Sequence, residues 1–167
     1  MFQLVTEANI RAAAEIHAES WRESHRSFCS PTFIEAHTIE TQIDYIRKEL
    51  SRGKVFYLLY FDSPKGIVSL QENLIENLYV HPSEQRKGYG TQLLHYIEGL
   101  CCDNPTLWVL SNNHAAISFY RREGYEFTGN RRELRSDLAE LEMKHVIFSG
   151  SVSPDGEKHR IKEENPA

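Results

Sequence analysis

Apolar positions along the chain change period several times, and each change marks an element. Residues 2–6 read as a short opening strand. Ile10, Ala14, His17 and Trp21 then recur at three- and four-residue spacing, which predicts a helix over residues 8–22 with one inward stripe. A polar connector, 24–31, leads to a second helix marked by Ile39, Ile43, Ile46 and Leu50, and Gly53 follows as a C-cap glycine would. Aromatic and β-branched residues make 55–61 a strand. Ser63-Pro64-Lys65-Gly66 has turn chemistry, and residues 67–70 return as a strand. Glu72-Asn73 turn the chain into an apolar strand, 74–80. The next helix, 88–101, carries Leu93, Leu94, Ile97, Leu100 and Cys101 on one face, until Pro105 breaks the pattern. Residues 106–110 form a short buried strand. Asn112 or Asn113 can cap a helix that ends at Gly124. Strands at 125–128 and 138–147 close the pattern, with 129–137 between them.

Hairpin links mixed with helical crossovers predict an α/β fold, a mixed sheet with helices on both faces. The length of 167 residues suits one domain, read as 1–148. From residue 149 the chain is Ser, Gly, Pro, Glu and Lys with little to bury, so 149–167 reads as a polar, flexible tail. The net charge of −5 argues against general nucleic-acid binding, which needs a basic stripe. No apolar run approaches a membrane span, and no basic-then-apolar leader opens the sequence, so no membrane partner is expected. Three cysteines, two of them adjacent, make no disulfide framework and point to a reducing, cytoplasmic setting. The eight histidines show no spacing suited to zinc, so no metal is expected.

The densest chemical signal is Gln85-Arg86-Lys87-Gly88-Tyr89-Gly90, between the 74–80 strand and the following helix. A helix N-terminus exposes unpaired N–H groups and partial positive charge, and glycines let backbone approach a ligand closely. Backbone N–H groups of residues 86–91, with Arg86 and Lys87 beside them, can cradle a pyrophosphate. The bland alternative is a glycine turn with two solvated cations. The P-loop pattern is absent, and a Rossmann fingerprint lacks its third glycine, since Leu93 stands there. The pattern that remains, [Q/R]-x-x-G-x-[G/A], resembles the acetyl-CoA pyrophosphate loop of the GCN5-related N-acetyltransferases (GNAT). Leu78-Tyr79-Val80-His81-Pro82 resembles the strand before that loop. Asn113-His114-Ala115-Ala116-Ile117-Ser118-Phe119-Tyr120, with Gly124-Tyr125 after it, resembles the family's second signature. The likeness covers residues 1–148.

The resemblance implies a mostly antiparallel, twisted sheet with a splayed central strand. It also implies direct transfer of an acetyl group from acetyl-CoA, the co-substrate, to a primary amine in a ternary complex. Cofactor contacts carried over are Leu78, Tyr79, Val80, Gln85, Arg86, Lys87, Gly88, Tyr89, Gly90, Thr91, Asn113, Ala116 and Tyr120. The Val80 N–H would polarise the thioester carbonyl. Tyr120, a phenol of pKa near ~10, would protonate the leaving thiolate; a core aromatic is the alternative. For the general base the reading is Glu76, placed by strand alternation on the face of Leu78 and Val80, with Glu72 or water as alternatives. Trp21 either walls the acceptor cleft or packs in the core, and His81 either borders that cleft or only ends its strand. The acceptor, a small-molecule amine or a protein amine, stays open, as does a homodimer. A rival reading is a non-catalytic acyl-CoA-binding module on the same fold.

Overall fold

A computed structural model describes residues 1–146. Its strands are β1 (Phe2–Leu4), β2 (Val55–Tyr60), β3 (Pro64–Gln71), β4 (Leu74–Val80), β5 (Thr106–Leu110), β6 (Tyr125–Arg135) and β7 (Leu138–His145). Its α-helices are α1 (Ile10–His25), α2 (Pro31–Glu35), α3 (Ile39–Ser51), α4 (Tyr89–Glu98) and α5 (His114–Arg122). The strands form one sheet in the order β1-β2-β3-β4-β5-β7-β6. Every neighbouring pair is antiparallel except β4–β5, which is parallel. The expected tail, 149–167, lies outside the described residues.

Two apolar cores flank the sheet. Ile10, Ala14 and Ile16 of α1 and Ile46 of α3 pack on Phe56, Leu58 and Ile67. On the other face, Leu93, Leu94 and Ile97 of α4 pack on Val68, Leu70, Ile75, Leu107 and Met143. Burial of the apolar stripes on α1, α3 and α4 against these faces is the main favourable term in holding the layers together.

Four elements differ from the sequence expectation. The connector at 24–31 is shorter, because α1 continues to His25. A short helix, α2, begins at Pro31, with Ser30 Oγ accepting from the Phe33 N–H at 3.3 Å. Strand β6 runs on to Arg135, with a register shift between Phe127 and Arg131 and Gly129 at φ 93. Its outer half is charged and exposed, so no apolar period announces it; the ladder to β7 holds it. Gly66, read as a turn residue, lies inside β3.

Strand β4 carries a β-bulge. As β3 advances from Ser69 to Ile67, β4 advances from Glu76 to Tyr79, one residue more. Asn77 adopts the left-handed conformation, φ 49, which asparagine tolerates better than most residues. Its side chain is anchored from the α1/α3 side. His17 Nε2 donates to Oδ1 at 3.1 Å, and Nδ2 donates to Tyr45 Oη at 3.1 Å and Ser69 Oγ at 3.0 Å. Ser69 Oγ in turn donates to the Glu76 carbonyl at 3.0 Å. The bulge also shifts side-chain facing. Glu76 and Tyr79 sit opposite Ser69 and Ile67, and Ile67 and Tyr79 pack in the α1/α3 core. Leu78 and Val80 pack on the α4 side. The expectation that Glu76 shares their face is thus overturned, because the extra residue breaks the alternation.

β5 pairs with β4 only at Leu74–Thr106 and Ile75–Leu107, and beyond Ile75 the strands part. On its other side, the His81 N–H donates to the Lys65 carbonyl at 2.9 Å, which makes Gly66–Val80 a non-hydrogen-bonded pair. The N–H and C=O of Val80 therefore point away from β3, toward the opening. The carbonyl accepts from Ser20 Oγ at 3.1 Å.

Two outcomes are expected. A Cβ at Gly66 would lie 2.6 Å from Leu93 Cδ1 and 2.8 Å from the Tyr79 carbonyl oxygen. Gly66→Ala should therefore cost about 1–3 kcal/mol in denaturant unfolding, through overpacking between β3, β4 and α4. The second concerns His17, which is 5% exposed; because Asn77 Oδ1 can only accept, its proton sits on Nε2, and its bare Nδ1 has no partner. Burial, opposed in part by the Asn77 hydrogen bond, lowers its pKa from 6.5 to about 4. As pH falls through 6.5 the unfolded chain gains a proton that the folded chain refuses until about 4, so stability is lost across that window. The His17→Gln variant should lack about 2 kcal/mol of the wild-type stability change between pH 7 and pH 5, read from urea midpoints.

Candidate active site

Two concavities meet where β4 and β5 separate. A groove of about 610 Å³ runs between the 85–91 loop and α5, lined by Gln85, Arg86, Gly88, Gly90, Thr91 and residues of α5. A central cavity of about 540 Å³ lies between α1, the parted strands and the β6–β7 arm. Leu78, Val80, Gln85, Ala116 and Tyr120 line both, so the two spaces share a wall at the end of β4.

The loop has the backbone of an anion cradle. Arg86 at φ 62 and Gly88 at φ 83 are both left-handed, and alternating handedness turns successive N–H groups inward. Nothing lies within 4 Å of a Cβ built on Gly88, so the space before the α4 N-terminus is open. A pyrophosphate fits this arrangement, with the N–H groups at the start of α4 unpaired by any earlier turn. The cations contribute unequally. Arg86 lines the groove, whereas Lys87 Nζ is paired with Glu84 at 2.8 Å. Tyr89 packs on Phe61, ring centroids 5.6 Å apart, and only its backbone belongs to the loop's face. Thr91 Oγ1 donates to Glu123 Oε1 at 3.0 Å and ties α4 to the end of α5.

Asn113 Oδ1 accepts from the Ala116 N–H at 3.1 Å and caps α5, and its side chain also borders the central cavity. Tyr120 stands at the shared wall. Burial pushes its phenol up to about 12, which keeps it protonated at neutral pH. Tyr79 packs edge-on to His17 at 5.0 Å, and burial raises its phenol still further.

Glu76 lines the cavity, and its carboxylate is ion-paired with Lys54 Nζ, which also reaches Glu49 Oε2 at 2.7 Å. Burial works against the Lys54 ammonium, yet its hydrogen bonds to Glu49 and Glu76 prevail and leave its pKa raised. Glu72 sits in the β3–β4 turn at φ 57 and is not among the residues lining the central cavity. His81 turns to Glu19 at 2.8 Å and to Ser83 at 2.8 Å, and it lines a separate pocket.

Several lining residues were not singled out from the sequence. Ser20 and His25 extend the α1 stripe that begins at Ile10. Ala115, Ser118 and Arg122 share one face of α5 and line the groove, a helical spacing that could have found them. Trp108 and Glu140 reach the cavity from β5 and β7, and Leu134 from the arm of β6. Trp21 also lines the cavity, with its indole stacked between His25 at 3.9 Å and His37 at 3.3 Å. Among the described residues the cavity's charged lining is Glu23, Glu76 and Glu140, with no lysine or arginine. Among the described residues no group of three His, Cys, Asp or Glu side chains could hold a metal, and no helix is long and apolar enough to cross a membrane.

The family model described as an acetyltransferase (GNAT) domain matches residues 51–127. No curated protein sequence matches. Solved structures share the fold. A GCN5-related N-acetyltransferase from Rhodopseudomonas palustris superposes with TM-score 0.70 at 22% identity, over 86% of this chain and 93% of that one. The PaiA N-acetyltransferase from Thermoplasma acidophilum, in complex with coenzyme A, gives 0.66 at 20% identity, over 86% and 99%. A ribosomal-protein-alanine N-acetyltransferase from Brucella melitensis gives 0.64 at 16%, over 88% and 99%. The mostly antiparallel seven-stranded sheet that opens beside β4 is the fold these N-acetyltransferase structures share, and the glycine loop leading into α4 lies within the stretch that matches the acetyltransferase (GNAT) domain model.

Proposed function

We propose that the protein is an acetyl-CoA-dependent N-acetyltransferase acting on a primary amine in a ternary complex. The observation that carries this is the shared wall. The groove beside the cradle and the central cavity meet at Val80, whose N–H is unused by β3, and at Tyr120. A donor held in the groove and an amine held in the cavity would meet there. The coenzyme A complex of the PaiA neighbour supports the choice of donor.

Acetyl-CoA, when bound, supplies an acyl group whose C–S bond breaks as the C–N bond to the amine forms. The cradle's N–H groups and Arg86 hold the pyrophosphate, and the free edge of β4 receives the pantetheine arm as an added strand would. The Val80 N–H donates to the thioester oxygen as charge builds there. Tyr120 gives its phenolic proton to the departing thiolate, whose acid has a pKa of roughly 8.5 by analogy with cysteine. Glu76, held in place by Lys54, takes the amine's proton through a water in the cavity. One proton leaves the amine for Glu76 and one leaves Tyr120 for sulfur; Glu76 then releases its proton to water and Tyr120 takes one up, which restores both groups for the next turnover.

Thiol release from acetyl-CoA with pooled amine acceptors tests this reading. Tyr120→Phe should lower kcat by about 10²-fold or more while calorimetry finds CoA affinity little changed. Unchanged thiol release in that variant would remove Tyr120 from the chemistry. Acetyl-CoA binding with silence across all acceptors would favour the non-catalytic module. With its pKa pushed up to about 12, Tyr120 should impose no alkaline fall in kcat up to about pH 10. For the base, Glu76→Gln should lower kcat at neutral pH by about 10²-fold or more, while Glu140→Gln, at the same cavity, should leave it near the wild-type value; the reverse pattern would move the base to Glu140.

A further inference from the structure

We infer that His17 is a positioning residue for the polarising backbone N–H of Val80, acting through Asn77; this rests on the acetyltransferase reading above. The bulge is what separates β4 from simple alternation, and Asn77 is its left-handed residue. A left-handed asparagine carries backbone strain, so the conformation persists where surrounding contacts over-determine it. Here three side chains from three elements do so: His17 from α1, Tyr45 from α3 and Ser69 from β3. Only His17 donates to the amide oxygen. Tyr45 and Ser69 both accept from the amide nitrogen, so the oxygen loses its side-chain partner when His17 is removed.

Val80 lies three residues beyond Asn77, and Ser20, three residues beyond His17 on α1, donates to the Val80 carbonyl. Helix α1 thus grips β4 at two points, the bulge and the peptide whose N–H faces the opening. His17 and Ser69 are buried, and His17 is not among the residues lining the cavity or the groove. Its influence on the reacting carbonyl runs through the strand. Without the His17 contact the bulge relaxes, the Val80 N–H swings from the thioester oxygen, and the pyrophosphate cradle, on the far side of His81 and Pro82, keeps its grip.

The test uses acetyl-CoA labelled with carbon-13 at the thioester carbonyl, bound to the full chain without acceptor. A hydrogen bond to the carbonyl oxygen moves that resonance downfield. Wild type should show the displacement. His17→Leu should return the resonance toward its position in free acetyl-CoA, with affinity by calorimetry within about threefold and kcat lowered about tenfold or more. His17→Gln, whose amide N–H can donate to Asn77 Oδ1, should restore both. Asn77→Gly keeps the left-handed backbone accessible but deletes the anchor, and should behave as His17→Leu does even where the leucine variant fails to fold. A variant lacking the anchor that binds acetyl-CoA and keeps the wild-type resonance overturns the inference, as does failure of His17→Gln to restore it. Wild type that binds without displacing the resonance overturns the inference and the Val80 contact it rests on, and leaves N-acetyl transfer itself to be judged by thiol release. Wild type that does not bind acetyl-CoA at all overturns the functional reading, and the inference with it.

Discussion

The opening between β4 and β5 is the constraint on which the site depends. Parallel neighbours that stayed paired along their length would bury the backbone groups of Leu78 and Val80 in a ladder and leave no wedge between the layers. The ladder stops after Ile75, and the bulge at Asn77 follows at once. Unpaired backbone groups in an interior are costly unless something answers them. The fold answers some from behind, with Ser69 on the Glu76 carbonyl and Ser20 on the Val80 carbonyl. The Val80 N–H is left facing the opening, where a ligand carbonyl can complete it.

That arrangement explains the distribution of polar groups across the sheet. The α4 side of β4 is apolar and presents Leu78 and Val80 to the shared wall. The α1/α3 side is polar where the bulge needs anchoring and apolar elsewhere. Two networks meet there: Asn77 with His17, Tyr45 and Ser69, and Glu76 with Lys54 and Glu49. Buried polar networks of this sort are worth keeping only when nearly every member is satisfied. Among the described residues the Nδ1 of His17 has no partner, and burial holds that imidazole neutral well below its usual range.

Much of the donor side was legible in the sequence because its signals are local. Glycines that take left-handed backbone, an asparagine that caps a helix and a helix-period stripe each leave a mark within a few residues. The bulge left none. Asn77 reads as one more polar residue in a strand, and only its long-range partners, at positions 17, 45 and 69, make it a left-handed anchor. Missing it displaced Glu76 to the wrong face. The β6 arm was invisible for a different reason. Arg131, Arg132, Glu133 and Arg135 have no buried side, so no period of two could appear, and their strand exists through backbone pairing with β7. Lys87 shows a third limit, since a cation beside a cradle can be claimed by a neighbouring carboxylate, here Glu84.

The matched stretch holds the groove and only part of the central cavity. Residues 51–127 hold β3, β4, the glycine loop, α4, β5 and α5, which together make the groove, the free strand edge and the position of Tyr120. The other walls of the central cavity come from α1 before that stretch and from the β6–β7 arm beyond it, and α2 braces them. Trp21 is braced by His37 and Phe33 around α2, and Arg135 Nη1 donates to the Phe28 carbonyl at 3.2 Å, joining the arm to the loop after α1. These parts pack on one another across the cavity mouth, while α1 and β7 are also rooted in the apolar cores through Ile10, Ala14, Ile16 and Met143. The cavity's outer walls thus lie outside the stretch that the domain model describes, and a shared fold does not by itself fix what such walls bind. In this chain the central cavity is lined by carboxylates and indoles, and under the proposed function selectivity for the acceptor would be set there.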